Sequence, residues 1–322
     1  MGVVGTGRLG RAHVRVLRSL PGVDFVGCHD ADAGRAREAA AEFGATAFES
    51  LDGLLGAVDA VSVVTTTSAH AEIAMAALER GLDVFVEKPL TSSVEEGERI
   101  VTRAREHARV LQVGHVERFN SAIETVLPAV GHPLFIEVHR LAPFNLRGAD
   151  VSVVMDLMIH DLDLLQLLVG SPPVEVRAKG AALLTAAPDI VNARLEYADG
   201  CVANVTASRV TAAPMRKFRV FSQNGYFSID LLAGTATHYR KVDGFADRIA
   251  EVQRGGAASL SMTDVISVQQ MRGDGVEPLV KELGAFCRCV SERARPPVTG
   301  EDGLEAVRLA ERILDRVGAA RA

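Results

Sequence analysis

The feature that most constrains this chain lies at its start. A short β run, Gly2 to Val4, meets Gly5-Thr6-Gly7-Arg8-Leu9-Gly10, and an apolar helical spacing follows at Leu9, Ala12, Val16 and Leu20. Glycine at the first position permits a tight turn, at the second it lets backbone approach a pyrophosphate, and at the third it packs helix on strand. The N–H groups that open the helix then face the phosphates. Read this way, Gly5, Gly7, Arg8, Leu9 and Gly10 form a dinucleotide-binding turn. Such glycine turns are common, so the reading gains its weight from the acid at the end of the next strand. The first strand is nearly truncated by Met1, which leaves open a start a few residues upstream.

The second strand is expected over Val23 to His29 and ends at Asp30, about 20 residues past the turn, where an acid takes the adenosine ribose hydroxyls. Its charge would repel a 2′-phosphate, so NAD is favoured over NADP. Arg35, a candidate cofactor contact, and Arg37 soften that preference. The alternative for Asp30 is a strand-end turn residue. Helix Ala33–Phe43, an edge element near Ala47, helix Ser50–Leu55 and strand Ala60–Val64 come next. The loop Thr65-Thr66-Thr67-Ser68-Ala69-His70 then enters a helix running from about His70 to Arg80. Thr65, Thr66 and His70 are expected to line the nicotinamide half of a cofactor site, because open α/β sheets bind ligands at strand carboxyl ends. Strand Asp83–Val86 delivers Glu87-Lys88-Pro89, and Pro89 keeps Lys88 extended. Helix Val94–His107 and strand Val110–Val113 complete an alternation that predicts a doubly wound parallel sheet, an α/β Rossmann domain over 1–117.

After Gly114 the rhythm changes. Following GHVERFN, the pattern predicts a helix over Ser121–Val126 and strands over Leu134–Leu141, Val174–Ala182, Ile190–Tyr197, Cys201–Arg209, Arg216–Phe221, Tyr226–Asp230 and Thr235–Arg240. Asp199-Gly200 and Asn224-Gly225 are hairpin signals. This predicts an α+β domain over 118–300 with a large, mainly antiparallel open sheet. Residues 242–262 read as an ambiguous excursion. Helices follow over Glu277–Arg293 and Asp302–Val317, and the segment 301–322 is expected to pack back on the first domain.

One stretch of the second domain stands apart. In MDLMIHDLDLLQLLVG, Met155 to Gly170, a helix reads apolar nearly all the way round, with Met158, Leu162, Leu165 and Val169 on one stripe. Such a helix is buried. Yet Asp156, His160 and Asp163 share a narrow face. Buried carboxylates and an imidazole cost several kcal/mol unless paired, so that stripe is read as facing a ligand-binding cavity.

Composition narrows the classes. A net charge of −6 argues against nucleic acid or an anionic membrane as partner. No apolar run is long enough to span a bilayer, and no signal peptide is visible. Four cysteines suit a reduced, cytoplasmic protein. Cys287 and Cys289 read as packed small residues, and no metal-ligand set is found.

Taken together, GTGRLG, Asp30, TTTSAH, Val86-Glu87-Lys88-Pro89, GHVERF and the D-x-x-x-H-D-x-D of Asp156 to Asp163 resemble the glucose–fructose oxidoreductase/inositol dehydrogenase (Gfo/Idh/MocA) family over nearly the whole chain. RPPVTGEDGLEA is also similar to that family's C-terminal pattern. The resemblance implies an NAD(P)-dependent dehydrogenase of sugars, inositols or sugar nucleotides, a homodimer or homotetramer built through the open sheet. The blocks GHVERFN, SVVMDLMIHDLDLL and SRVTAAPMRKFRVF are most similar to the bacterial branch that oxidises C3 of UDP-N-acetylglucosamine for lipid A precursors. The alternatives are a free-sugar or inositol dehydrogenase and, in another class, a catalytically silent NAD-binding regulator.

Alcohol oxidation needs a hydride acceptor, a base and a positive group near the developing charge. Lys88 is assigned the positive group and His160 the base, since its reference pKa lies near 6.5. Asp156 orients the imidazole, binds a substrate hydroxyl or caps the helix. Lys88 and Glu87 are also assigned to the cofactor. Asp161 and Asp163 are read as making structural pairs. His115, Arg118 and Asn120 are candidate substrate contacts; for Arg118 the alternative is a salt bridge at the domain interface. Arg209, Arg216, Lys217 and Arg219 could hold a diphosphate, with Arg209 as the substrate contact, or form a solvated strand face. His13 is read as packing.

Overall fold

The computed structural model describes residues 1–145, 151–254 and 261–319. Residues 255–260 of the ambiguous 242–262 excursion and the last three of 301–322 lie outside the described residues. Backbone proximity divides the chain into two compact units, Met1–Phe119 with Glu277–Arg312, and Asn120–Val276 with Ile313–Ala322.

The first unit runs β1 (Gly2–Val4), α1 (Arg8–Ser19), β2 (Gly27–His29), α2 (Ala33–Phe43), β3 (Thr46–Ala47), α3 (Leu51–Leu55), β4 (Ala60–Val63), α4 (Thr67–Glu79), β5 (Asp83–Glu87), α5 (Val94–Glu106) and β6 (Leu111–Gly114). Its six strands pair in parallel in the order β3-β2-β1-β4-β5-β6. The order reverses between β1 and β4, the position where doubly wound sheets bind ligands. Strands β1, β4, β5 and β6 are buried at every residue, as expected of a parallel sheet covered on both faces.

Three expectations for this unit change. The second strand is shorter than Val23–His29, because β1 offers ladder partners only from Gly2; ahead of it, Met1 bonds its amino group to the Asp24 carbonyl and accepts from the Val26 N–H. Helix α4 begins at Thr67, three residues before His70, so Thr67 and Ser68 of the hydroxyl run fall in its first turn and Thr66 is its N-cap. Helix α10 (Pro278–Glu292), expected in the second domain, belongs to the first unit. Its Leu279, Leu283, Phe286 and Cys289 pack in one core with Val3, Leu17 and Phe85, and the Gln112 amide donates to the Glu282 carbonyl at 3.2 Å. Order along the chain is a poor guide here, since an apolar helix face goes where a sheet face needs cover. Helix α11 (Gly300–Ala319) also enters this unit. A Cβ on Gly303 would lie 2.6 Å from Val113 Cγ2, so that glycine permits close packing on β6.

The second unit runs α6 (Ser121–Val130), β7 (Pro133–Leu141), a π turn (Val154–Met158), α7 (Ile159–Val169), β8 (Glu175–Ala181), β9 (Ile190–Glu196), β10 (Val202–Ser208), β11 (Met215–Ser222), β12 (Gly225–Asp230), β13 (Thr235–Lys241), α8 (Phe245–Gln253), α9 (Met262–Val265) and β14 (Ile266–Arg272). Among the described residues the sheet has eight strands, ordered β14-β13-β12-β11-β7-β10-β9-β8, antiparallel except where β7 meets β10. Helix α6 continues through Pro128 to Val130, past its expected end at Val126. Strand β14 was not anticipated. Among the described residues it pairs only with β13, at the sheet edge, and it carries no fully buried residue, so it lacks the alternation that marks a half-buried strand.

Candidate active site

The glycine turn passes a geometric test for a dinucleotide. Gly5 has φ +92°, and a Cβ there would meet the Val64 carbonyl at 2.4 Å. A Cβ on Gly10 would lie 1.9 Å from the Gly5 carbonyl, so helix and turn touch. Gly7 faces the opposite situation, with nothing within 4 Å of its missing Cβ. Gly7 is also the N-cap of α1, without a side-chain cap and with no acid in the first turn. That helix start presents backbone N–H groups, with Arg8 and Leu9 beside them, where a pyrophosphate would bind.

Asp30 closes this turn from the end of β2. Its carboxylate accepts from the Thr6 N–H at 2.7 Å, the Thr6 hydroxyl at 3.0 Å and the Asp32 N–H at 2.9 Å. Burial works to raise its pKa, but those donors and the nearby Arg35 cation bring it below the usual carboxylate range. Arg35 lies 3.5 Å from Asp30 and 3.4 Å from Asp32. Two acids thus offset the Arg35 cation, which could otherwise favour a 2′-phosphate.

The ends of β4 and β5 come next. The Thr65 hydroxyl donates to the Thr66 carbonyl, and the Thr66 hydroxyl meets Ser68, both at 3.3 Å. His70 is buried, with Nδ1 2.9 Å from the Pro89 carbonyl and Nε2 3.3 Å from the Thr65 carbonyl. Burial pushes its pKa below the ordinary histidine value. His70, expected to line the nicotinamide half of a cofactor site, thus ties together the loops that follow β4 and β5. Glu87 is buried as well, and its Oε2 accepts from the Lys88 N–H at 3.2 Å. Lys88 itself is half-buried at the carboxyl end of β5. His115 is buried one residue past β6.

In the second unit, Asp156 lies within the π turn and His160 in the first turn of α7; both are half-buried. The wider π turn departs from the regular 100° spacing assumed across this stretch. Asp163 is fully buried. Asp161 receives two 2.8 Å bonds from the guanidinium of Arg140, whose side chain is 2% exposed against 1% for Asp161. This bidentate pair anchors α7 to β7. Arg140 was missed, although it falls on the inward phase of β7 with Ile136 and Val138, where an arginine calls for an acidic partner.

Several candidate substrate contacts are spent inside the fold. Arg118 donates to the Pro297 carbonyl at 3.1 Å and meets Asp302 at 3.4 Å, both within the first unit. The Asn120 side chain caps α6, accepting from the Ala122 N–H, and donates to the Leu231 carbonyl at 2.9 Å. Arg209 bonds Asp189 at 2.9 Å, the Val151 carbonyl at 2.7 Å and the Thr185 hydroxyl at 3.1 Å. Asp189 in turn accepts from the N–H groups of Leu183, Leu184 and Thr185. Although burial opposes it, this cage of donors holds the Asp189 carboxyl far below the usual range. Lys217 meets Asp230 at 2.7 Å and Arg219 meets Glu137 at 3.4 Å. Arg209 thus serves as an anchor, and Lys217 and Arg219 lie on a paired strand face, which favours the alternative of a strand face over a diphosphate site. A diphosphate would have to displace these acids and leave them unpaired, at a cost of several kcal/mol where they are buried.

Comparison with known proteins agrees with this architecture. Residues 1–115 match the model of an oxidoreductase family with an NAD-binding Rossmann fold, and residues 107–228 match the GFO/IDH/MocA C-terminal domain. UDP-N-acetylglucosamine 3-dehydrogenase of Acidithiobacillus ferrooxidans is 42% identical over 293 residues, 91% of this chain and 92% of that protein. Its solved structure superposes with a TM-score of 0.90, covering 99% of this chain and 97% of that one at 36% identity. A scyllo-inositol 2-dehydrogenase (NAD(+)) of Bacillus subtilis is 30% identical over 65% of this chain and 67% of its own length. A structure of levoglucosan dehydrogenase with NADH and levoglucosan, at 19% identity and TM-score 0.84, shares the fold. With a Rossmann unit fitted to NAD and both family domains matched, this chain is a member of the GFO/IDH/MocA oxidoreductase family.

Proposed function

We propose that this oxidoreductase converts the C3 hydroxyl of UDP-N-acetylglucosamine to a ketone, using NAD. The observation that carries the reading is the 42% identity, over nearly the full length of both chains, to an enzyme of that name. When bound, NAD supplies the hydride acceptor. The remaining work falls to side chains of this protein. The C3–H bond breaks with its electron pair leaving as hydride, and the hydroxyl proton passes to the His160 imidazole as general base. The Lys88 ammonium lowers the energy of the charge that builds on the oxygen. Asp156, four residues before His160, steers the imidazole or holds a neighbouring hydroxyl.

On this reading the ketone feeds an amine-transferring step toward lipid A precursors in the cytoplasm. Assembly as a homodimer or homotetramer through the open sheet belongs to the same reading. An exposed or half-buried ladder of Phe135, Phe221, Tyr226 and Tyr239, with neighbouring ring centroids 4.6–6.1 Å apart, supports it.

A second reading, oxidation of a free sugar or inositol, is favoured by one observation. Arg209, the expected diphosphate contact, is engaged by Asp189. The test is NADH formation, followed by absorbance, with UDP-N-acetylglucosamine, N-acetylglucosamine, scyllo-inositol and myo-inositol. Turnover confined to the nucleotide sugar is expected. Turnover of an inositol with none on the nucleotide sugar would overturn the proposal in favour of the second reading.

A further inference from the structure

The invariant need of the reaction proposed above is a lysine held in one place at the end of β5. Two buried histidines bracket the backbone at Lys88. One is His70, which meets the carbonyl of Pro89. The other is His13 on α1, which reaches Lys88 through Glu87. His13 is fully buried, with its ring edge-on to Phe85. Its Nε2 lies 3.1 Å from Glu87 Oε1, and its Nδ1 lies 2.9 Å from the hydroxyl of buried Ser62 on β4. The second oxygen of the Glu87 carboxylate accepts the N–H of Lys88. The path runs from β4 through α1 to β5, with no exposed group before Lys88.

Packing makes the arrangement specific. A Cβ on Gly114 would lie 2.9 Å from the Glu87 carboxyl carbon. The carboxylate thus fills the space that a side chain would take on the neighbouring strand. A buried carboxylate is costly unless its oxygens are bonded, and His13 meets one oxygen while the Lys88 N–H meets the other. Neutral imidazole has one donor and one acceptor nitrogen. With Nε2–H donated to Glu87, Nδ1 accepts from the Ser62 hydroxyl, and each polar atom of the path has a role.

We infer that His13 is a positioning residue for the reaction: through Glu87 it fixes the backbone of Lys88, and so the place of the ammonium group. The role rests on the assignment of Lys88 as the positive group under Proposed function. Glu87, expected to contact the cofactor, acts here from inside the fold. A shift of about 1 Å in a reacting group costs up to 10²-fold in rate.

The test compares His13→Leu, which removes both bonds at similar volume, with His13→Gln, whose amide can donate to Glu87 and accept from Ser62. The readouts are steady-state kinetics and amide exchange resolved at Lys88, on the full chain with NAD present. The expected result for His13→Leu is a kcat lower by about tenfold, a KM for NAD within about twofold of wild type, and faster exchange at the Lys88 amide. His13→Gln should recover most of both. Should His13→Leu fail to fold, Ser62→Ala takes its place, with a smaller change in the same direction. Wild-type kcat with unchanged exchange at Lys88 would overturn the inference. So would losses in His13→Leu that His13→Gln leaves unrepaired. Amide exchange needs no sugar substrate. Altered exchange in His13→Leu beside a Lys88→Met variant with full activity would sink the assignment of Lys88 and leave the structural link standing.

Discussion

The polar side chains near the expected NAD site of the first unit and the buried arginines of the second are put to different uses. In the first, buried polar groups bond to backbone near the expected NAD site: Asp30 to the N–H of Thr6, His70 to the Pro89 carbonyl, Glu87 to the N–H of Lys88. Each such bond shapes a turn or strand end. In the second unit, Arg140 and Arg209 are consumed by Asp161 and Asp189, and the pairs hold elements together. The difference teaches that residue type alone does not separate a ligand contact from an anchor. An arginine in an acidic protein suggests an anionic ligand, but a guanidinium already matched to a buried carboxylate has little left to offer one.

The sharpest way to break this contrast is to remove one cation from each unit. Lys88→Met should lower kcat by about 10³-fold, the scale for losing a group aimed at developing charge, with the thermal midpoint unchanged. Arg209→Met should do the reverse. It strands Asp189 and should cost about 3–5 kcal/mol in urea unfolding, with kcat per folded molecule near wild type. Full stability with lost activity in Arg209→Met would return that residue to the substrate.

A smaller effect separates two glycines of one turn. Gly10→Ala drives a Cβ into the Gly5 carbonyl and should destabilise by about 1–3 kcal/mol, as overpacking does. Gly7→Ala has room and a φ of −61°. It should leave the melting temperature of the NAD-free protein unchanged while weakening NAD binding, measured by fluorescence titration. Equal affinity for NAD in Gly7→Ala and wild type would move the pyrophosphate away from this turn.

Acid sharpens the comparison further. The Asp189 carboxyl is depressed in the folded state, so its contribution is present above the unfolded value near 3.9 and fades as pH falls through the folded value. Thr185→Val removes the hydroxyl donor, one of the causes of that depression, and so makes it smaller. The stability gap between variant and wild type should therefore be widest near neutral pH and narrow below about pH 4. A gap that is flat with pH would show that Thr185 acts by packing rather than through the Asp189 carboxylate. The smallest change expected is in Thr6→Val. It removes one hydroxyl bond to Asp30 and should cost about 1 kcal/mol, with a modest loss of preference for NAD over NADP in paired titrations.

Much of this was legible because local rules carry it. The turn GTGRLG, the alternation through β6 and the Glu87-Lys88-Pro89 strand end each draw their meaning from neighbours a few residues away. What escaped depends on partners far along the chain. Glu87 lies 74 residues from His13, so its role could not be read from spacing. Arg140 stands on the inward phase of β7, where an arginine calls for an acid, but its partner Asp161 is 21 residues on. Helix α10 follows the second domain in chain order, whereas its apolar face answers to the first unit's core. Strand β14, polar and at an edge, carries no inward-facing apolar series by which to find it. Arg118 and Asn120 have the chemistry of substrate contacts, and only their distances to Asp302, Pro297 and Leu231 reveal other duties.

The central claim is that hydride leaves C3 of the nucleotide sugar. The direct measurement uses UDP-N-acetylglucosamine carrying deuterium at C3, with NAD and the wild-type enzyme, and reads the reduced cofactor by mass spectrometry. The account predicts one deuterium in each reduced cofactor, formed in step with a 3-keto sugar. Reduced cofactor without deuterium would place the oxidation at another carbon and contradict it.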